Sequence, residues 1–264
     1  MTKSKPKLTP KTKAKAKPRK ELERILFIPD CHIPYHDEYA FQLMLDAAKG
    51  FKPDHVIILG DFIDMYSVSA HDKNPQRALK LEWELAETIK CLQKVKKLGA
   101  KNNVFIAGNH CDRLERYMMS KAPELFDQVK IENLLALKGN GFQYIPYKDH
   151  YKIGKVYVTH DTGKAGKHAH LKSMADFGKS VILGHTHVMS YTIQGTAEGD
   201  HHVGAMFGWL GDFEKVDYMH KIKAKVDWSH GFGIGYLHTK TNNVYVTPVP
   251  IINKSCVVEG KLYV

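Results

Sequence analysis

From Glu21 onward, short apolar runs alternate with longer stretches whose apolar positions recur every three or four residues. That alternation predicts an α/β chain. Residues 24–29 (RILFIP) read as a buried strand, and 39–49 as a helix with Phe41, Leu45 and Ala48 on one face and Gly50 as its stop. A second strand follows at 55–59. Residues 76–98 then space Leu79, Trp83, Ala86, Ile89 and Leu92 as a helix closed by Gly99, and 103–107 form a third strand. This βαβαβ order predicts a parallel sheet. Residues 114–137 read as mostly helical with a break at Pro123. The second half leans to strands, at 142–146, 155–159, 181–183, 188–194, 233–237 and 244–249, interrupted by one helix at 167–177. With no repeat and no second compositional regime, residues 21–264 predict one domain built on two sheets.

Composition changes this picture little until charge is placed along the chain. At 264 residues, 43% hydrophobic and 25% charged, the chain can bury a large core. No run of about eighteen apolar residues occurs, and the first residues lack the apolar stretch of a signal peptide, so the expected setting is the cytoplasm with no membrane contact. Cys31, Cys91, Cys111 and Cys256 contain no CxxC pair and suit reduced thiols. The net charge of +11 suggests nucleic acid, yet residues 1–20 hold eight lysines, one arginine and no acid. The remainder is close to neutral. Those twenty residues have almost nothing apolar to bury and predict a disordered basic tail. It reads either as a solubilising segment or as an arm for nucleic-acid phosphates, in which case its contribution is strongly salt-sensitive. Oligomeric state is not set by any of these features.

The candidate chemistry lies at the strand ends. Asp30 and His32 follow the first strand, Asp61 the second, Asn109 and His110 the third; His160 ends a later strand, and His185 and His187 another. In a parallel α/β sheet such loops converge on one edge, where ligands bind. Taken singly, an Asp-x-His is an ordinary turn or cap. Together they offer the carboxylate, amide and imidazole donors that a pair of divalent cations about 3.5–4 Å apart requires, with Asp61 the natural bridge.

The motifs Asp30-Cys31-His32, GDxxD at 60–64, GNH at 108–110, the lone His160 and GHTH at 184–187 resemble the calcineurin-like metallophosphoesterases. GNHCDRLERY at 108–117 is similar to the version found in small phage and bacterial members, and Trp228, Gly231 and Phe232 resemble that group's closing W-x-x-G-F. The resemblance implies a four-layer α/β/β/α sandwich of two mixed sheets with flanking helices. It also implies a first metal held by Asp30, His32 and His187, a second held by Asn109, His160 and His185, and Asp61 bridging them. The ions would be manganese, with iron or zinc as alternatives, and a water between them would attack phosphorus in line. His110 would assist the departing alkoxide, with Asp64 orienting it. Arg113 is expected to contact the substrate phosphate.

Departures from the family pattern shape the substrate question. The protein-phosphatase branch reads GDxxDRG, but Met65 stands here where that arginine would clamp phosphate, and a thioether cannot replace it. Cys111 and Asp161 replace an acid and a glycine beside the ligands. Cys31 and Cys111 flank the site and invite a redox role, although small buried hydrophobe is the commoner role of a free cysteine. His36, His71, His168, His170, His201 and His202 read as surface or capping residues, and Lys164 and Lys167 as phosphate contacts or solvated charges. Three functions follow. A phosphodiesterase or nuclease, in the host cytoplasm if a phage encodes it, fits the basic tail and the absent arginine. A nucleotide or phosphoprotein phosphatase fits the near-neutral domain. A silent binding module would have no need for the His110 and Asp64 pair.

Overall fold

The computed structural model describes residues 20–74, 80–215 and 227–264. The expected tail thus lies outside the described residues except for Lys20, and so does the predicted start of the second helix. In chain order the elements are β1 (Leu22–Ile28), α1 (Glu38–Phe51), β2 (His55–Ile58), α2 (Leu81–Lys96), β3 (Asn102–Ile106), α3 (Asp112–Lys121), α4 (Ile131–Leu134), β4 (Phe142–Ile145), β5 (Tyr151–Ile153) and β6 (Val156–Thr159). They continue as α5 (Ala169–Phe177), β7 (Ser180–Leu183), β8 (Met189–Gly195), β9 (His201–Phe207), β10 (Gly231–His238), β11 (Val244–Pro250), β12 (Cys256–Val258) and β13 (Lys261–Tyr263).

One sheet has the order β11-β10-β1-β2-β3-β4 and the other β5-β6-β7-β9-β8. Strands β1 to β4 run parallel, and β10 and β11 join antiparallel. In the second sheet β6, β7 and β9 are parallel, and β5 and β8 edge it antiparallel. Side chains alternate across each strand, so both faces of β1, β2 and β3 are used. Ile25, Phe27, Ile57, Leu59, Val104 and Ile106 face the second sheet, meeting Val156, Val158, Ile182, Ala205 and Phe207. Leu26, Ile28, Val56, Ile58 and Phe105 face outward into a core shared with Phe41, Met44 and Leu45 of α1, Leu92 and Val95 of α2, and Leu114 and Met118 of α3. Helix α5 covers the outer face of the second sheet, with Ala169 against Val181, Leu183 and Met206. The order helix, sheet, sheet, helix is the four-layer arrangement expected.

Helix α1 illustrates how the sequence places its boundaries. The Asp37 carboxylate accepts from Ala40 N at 2.9 Å, satisfying one of the four free N–H groups at the helix start. The left-handed Lys52 ends the helix, its N–H returning to Ala48 O.

Four short strands were not anticipated: β5, β9, β12 and β13. The consequential one is β9, which sits between β7 and β8. His201, His202 and Gly204 disguise it, yet Gly204 is where His170 of α5 presses on the sheet. The helix expected over 114–137 instead runs from Asp112 to Lys121, followed by a 3-10 turn at Pro123–Leu125 and the single turn of α4. Ala122 breaks it, because Pro123 excludes α geometry at the preceding residue.

Candidate metal centre

The loops leaving the C-terminal ends of β1, β2, β3, β6 and β7 all meet at one edge of the two sheets. Nonglycine residues with positive φ are uncommon and concentrate at functional sites. Here His32, Asp61, His185 and His187 have φ of 54°, 42°, 69° and 59°. The glycines of the motifs permit the closure: a Cβ on Gly60 would overlap the His160 ring, and one on Gly108 the Asp61 carboxylate.

Two clusters lie side by side, with Asp61 in a triad with His32 on one side and with His160 and His185 on the other. In the first, His187 Nε2 lies 3.0 Å from Asp30 Oδ2 and 3.0 Å from His32 Nε2. His32 Nδ1 points to Asp64 Oδ2 at 3.2 Å, which places its hydrogen there and leaves an Nε2 lone pair facing its partners. In the second, His160 Nδ1 lies 2.9 Å from Leu59 O, and a carbonyl can only accept. His160 Nε2 therefore faces Asn109 Oδ1 at 2.9 Å and Asp61 Oδ2 at 3.2 Å. His185 Nδ1 reaches the same Asn109 oxygen at 3.0 Å. Nitrogen and oxygen donors converging in this way are held together by protons or by a metal cation, and a metal-bound imidazole ordinarily gives its second N–H to a carbonyl or carboxylate, as His160 and His32 do here. The residues fit divalent metal. Triads Asp30-His32-His187, His32-Asp61-His110 and Asp61-His160-His185 each bring one ligand atom per residue within 4.8 Å of the others.

Electrostatics agree with that reading. Burial disfavours the charged form of His160, but Asp61 and Asp30 outweigh it and hold the ring up at about 10. His32 is raised despite its burial, chiefly by Asp64. His187 goes the other way: burial pushes it down to about 4, and Asp30 only partly opposes this. The carboxyls of Asp30, Asp61 and Asp64 are all held below the usual range, the surrounding imidazoles overcoming burial. The cluster thus keeps its acids ionised and calls for positive charge at its centre.

His110 and Arg113 adjoin the clusters, with the buried His110 placing Nε2 3.7 Å from Asp61 Oδ2. His110 Nδ1 donates to Asp64 O at 2.9 Å, with the Asp64 carboxylate 3.5 Å away, and burial lowers its affinity for a second proton. Arg113 donates from Nη1 to Asp64 O at 2.9 Å and from Nη2 to His110 Nε2 at 2.9 Å. Two features were missed in the sequence: the Asp64 carboxylate holds His32 as well as facing His110, and Trp209 stacks on His187 with ring centroids 4.8 Å apart at 13°. The signal for Trp209 was an FGWLG turn at the end of the overlooked β9.

The other singled-out residues lie apart from the ligand clusters. Buried His36 approaches Cys91, His170 reaches Thr192 at 3.0 Å, and Lys164 pairs with Asp176 at 3.1 Å. His71, His168 and His201 are exposed, and His202 pairs with β8. All four cysteines are free and buried, and burial pushes the Cys111 thiol up to about 12, which suits an inert packing residue. Among the described residues no helix is long and apolar enough to cross a membrane.

Comparison with known proteins agrees with the geometry. The Gene 54 protein of Mycobacterium phage D29 is 28% identical over 91% of this chain and 98% of its own length, and that of phage L5 is 26% identical over the same shares. Vacuolar protein sorting 29 from Cryptosporidium parvum is similar at 15% identity, with 92% of this chain and 95% of that one covered and a TM-score of 0.44. YfcE, a phosphoesterase from E. coli, gives 12% identity, 85% and 98% coverage and a TM-score of 0.39. At scores this low neither likeness bears on fold or function. The sequence profile of calcineurin-like phosphoesterases, however, matches residues 23–189, which span all five ligand loops. With those loops closed on a donor set built for cations, the chain belongs to the calcineurin-like phosphoesterase family, metal-dependent hydrolases of phosphate esters.

Proposed function

We propose that residues 21–264 form one catalytic domain of a dinuclear phosphoesterase, with phosphodiesters, including nucleic acid, as its substrates. Asp30, His32 and His187 hold the first ion, Asn109, His160 and His185 the second, and Asp61 both. The observation that carries this is the convergence of buried carboxylate, amide and imidazole atoms, within 4.8 Å of one another in each triad, at one edge of the two sheets. Its mixed oxygen and nitrogen donors suit manganese, and also iron or zinc. Bound there, the ions supply Lewis acidity that activates water and neutralises charge on the phosphoryl oxygens.

The chain's own groups do the rest. Leu59 O and the Asp64 carboxylate fix the tautomers of His160 and His32, so both present Nε2 to the centre. Arg113 brings permanent positive charge to His110 Nε2 and binds a substrate phosphoryl oxygen there. His110, held by Asp64, would take a proton from solvent at Nε2 when Arg113 turns from that nitrogen to the substrate phosphoryl group, and would pass it to the departing alkoxide.

Met65 is fully buried and offers nothing to a phosphate, which supports the diester reading over a protein phosphatase. The basic residues 1–19, outside the described residues, add attraction for a polyanion. The near-neutral remainder of the sequence favours a second reading, a nucleotide or phosphoprotein monoesterase. The deciding experiment adds Mn2+ to metal-stripped protein and compares initial rates on bis-p-nitrophenyl phosphate and p-nitrophenyl phosphate, with Asp61→Ala as the blank. A diester preference abolished in the variant is expected. Monoester preference would select the second reading, and no turnover of either ester with metal bound would overturn both.

A further inference from the structure

His160 and His32 each give their second ring nitrogen to a fixed acceptor, but His187 does not. Its Nδ1 is buried and has no hydrogen-bond partner among the described residues. What holds this ring is aromatic. Trp209, fully buried, lies flat against it at 4.8 Å and 13°, and Trp228 meets it edge-on at 4.3 Å and 77°. The two indoles also contact each other at 4.8 Å.

The backbone around Trp209 is anchored to the other half of the same centre. Leu210 N donates to the carbonyl of Asp30 at 2.7 Å, Asp37 N donates to Leu210 O at 2.9 Å, and Asp212 N to Tyr35 O at 2.9 Å. Trp209 N itself donates to Ser229 O at 3.1 Å. Gly211 lies flat under the indole, where any Cβ would overlap the ring. The 208–212 turn therefore binds the loop carrying Asp30 and His32, from the first sheet, while its side chain fixes His187, from the second. Trp209 Nε1 is buried without a partner among the described residues, so the ring is not placed there for its N–H.

We propose that Trp209 is a positioning residue for the first ion, its stacked indole performing for His187 the service that Leu59 O performs for His160. The chemistry is suited to this. A metal-bound imidazole is electron-poor, and the indole face is the most electron-rich a protein offers. Without the indole, His187 can rotate about its side-chain bonds, and the first site loses the geometry that Asp30 and His32 alone cannot define. The second site, whose rings are held by Leu59 O and Asn109, is untouched.

This rests on the ligand assignment above, and the experiment separates the two. Metal-stripped protein is titrated with Mn2+, following free ion by electron paramagnetic resonance and tryptophan emission in parallel, for wild type, His187→Ala, Trp209→Leu, Trp209→Phe and the double variant His187→Ala/Trp209→Leu. Wild type is expected to bind two ions and His187→Ala to lose one; two ions in His187→Ala would overturn the assignment itself. Trp209→Leu is expected to weaken one site about 10- to 100-fold, the cost typical of removing an outer-shell support. Trp209→Phe, which keeps a ring and lacks the N–H, should restore affinity to within a few-fold. The double variant should bind no more weakly than His187→Ala alone, since coupled residues are not additive. Two wild-type affinities in Trp209→Leu, equal weakening of both sites, or failure of phenylalanine to rescue would each overturn the positioning role.

Discussion

His110 touches Asp64 on one ring nitrogen and Arg113 on the other, so its reactive atom is never presented bare. A side chain in that position matters only where the leaving group needs a proton. His110→Ala should therefore slow alkyl phosphate esters by about 100-fold or more, within the range of general-acid contributions, and nitrophenyl esters far less. Steady-state rates on a matched pair of esters check this; equal losses would mean His110 acts by placing substrate instead. The residues proposed as ligands stood out in sequence because Asp, Asn and His at the ends of five separate strands point jointly to one edge of the sheets. The supports of His32, His160 and His187 did not. A carbonyl such as Leu59 O leaves no trace in sequence, and the FGWLG turn that carries Trp209 marks a turn without pointing to the histidine it meets.

At the scale of elements, the start of β2 ties its neighbours together. The Asp54 carboxylate accepts from Arg24 N of β1 at 3.1 Å and from Lys20 Nζ at 2.8 Å, and lies 3.4 Å from Lys101 Nζ. Burial works to raise its pKa, but these donors prevail and hold it below the usual value. A depressed folded-state value means the stabilisation is full above the unfolded value, about 4, and is lost as pH falls through the folded one. Asp54→Ala should cost about 1–3 kcal/mol at neutral pH, mostly from stranded donors, and the gap to wild type should shrink below about pH 4. Urea melts across that pH range measure it. Short continuous apolar runs predicted most strands of this sheet, and apolar positions every three or four residues predicted the helices against it. Strand β9 escaped because its outer residues, His201 and His202, are polar and its centre is a glycine; only packing between β7 and β8 shows that Gly204 is needed against α5.

For the whole molecule, the first sheet contributes Asp30, His32, Asp61 and Asn109 and the second contributes His160, His185 and His187. Bound ions would therefore link the two layers and stabilise the folded state by mass action, about 2.7 kcal/mol per site at a free concentration one hundred times its dissociation constant. Thermal melts with excess Mn2+ and with a chelator should differ by several degrees, and Asp61→Ala should abolish most of the difference. Identical melts for wild type would deny that the centre spans the sheets. The sequence by itself determined the strand–helix alternation and the types of donor at the strand ends, which follow from local periodicity and residue chemistry, and its ordered motifs carried the family resemblance. Only the tertiary structure decided how the rings are oriented, that Arg113 fills the His110 lone pair, and that Trp209 ties one sheet's ligands to the other's. The ring orientations and the Trp209 tie depend on groups far apart in the chain meeting at one edge, and the His110–Arg113 contact, though local, is seated by the distant Asp64, which no local pattern encodes.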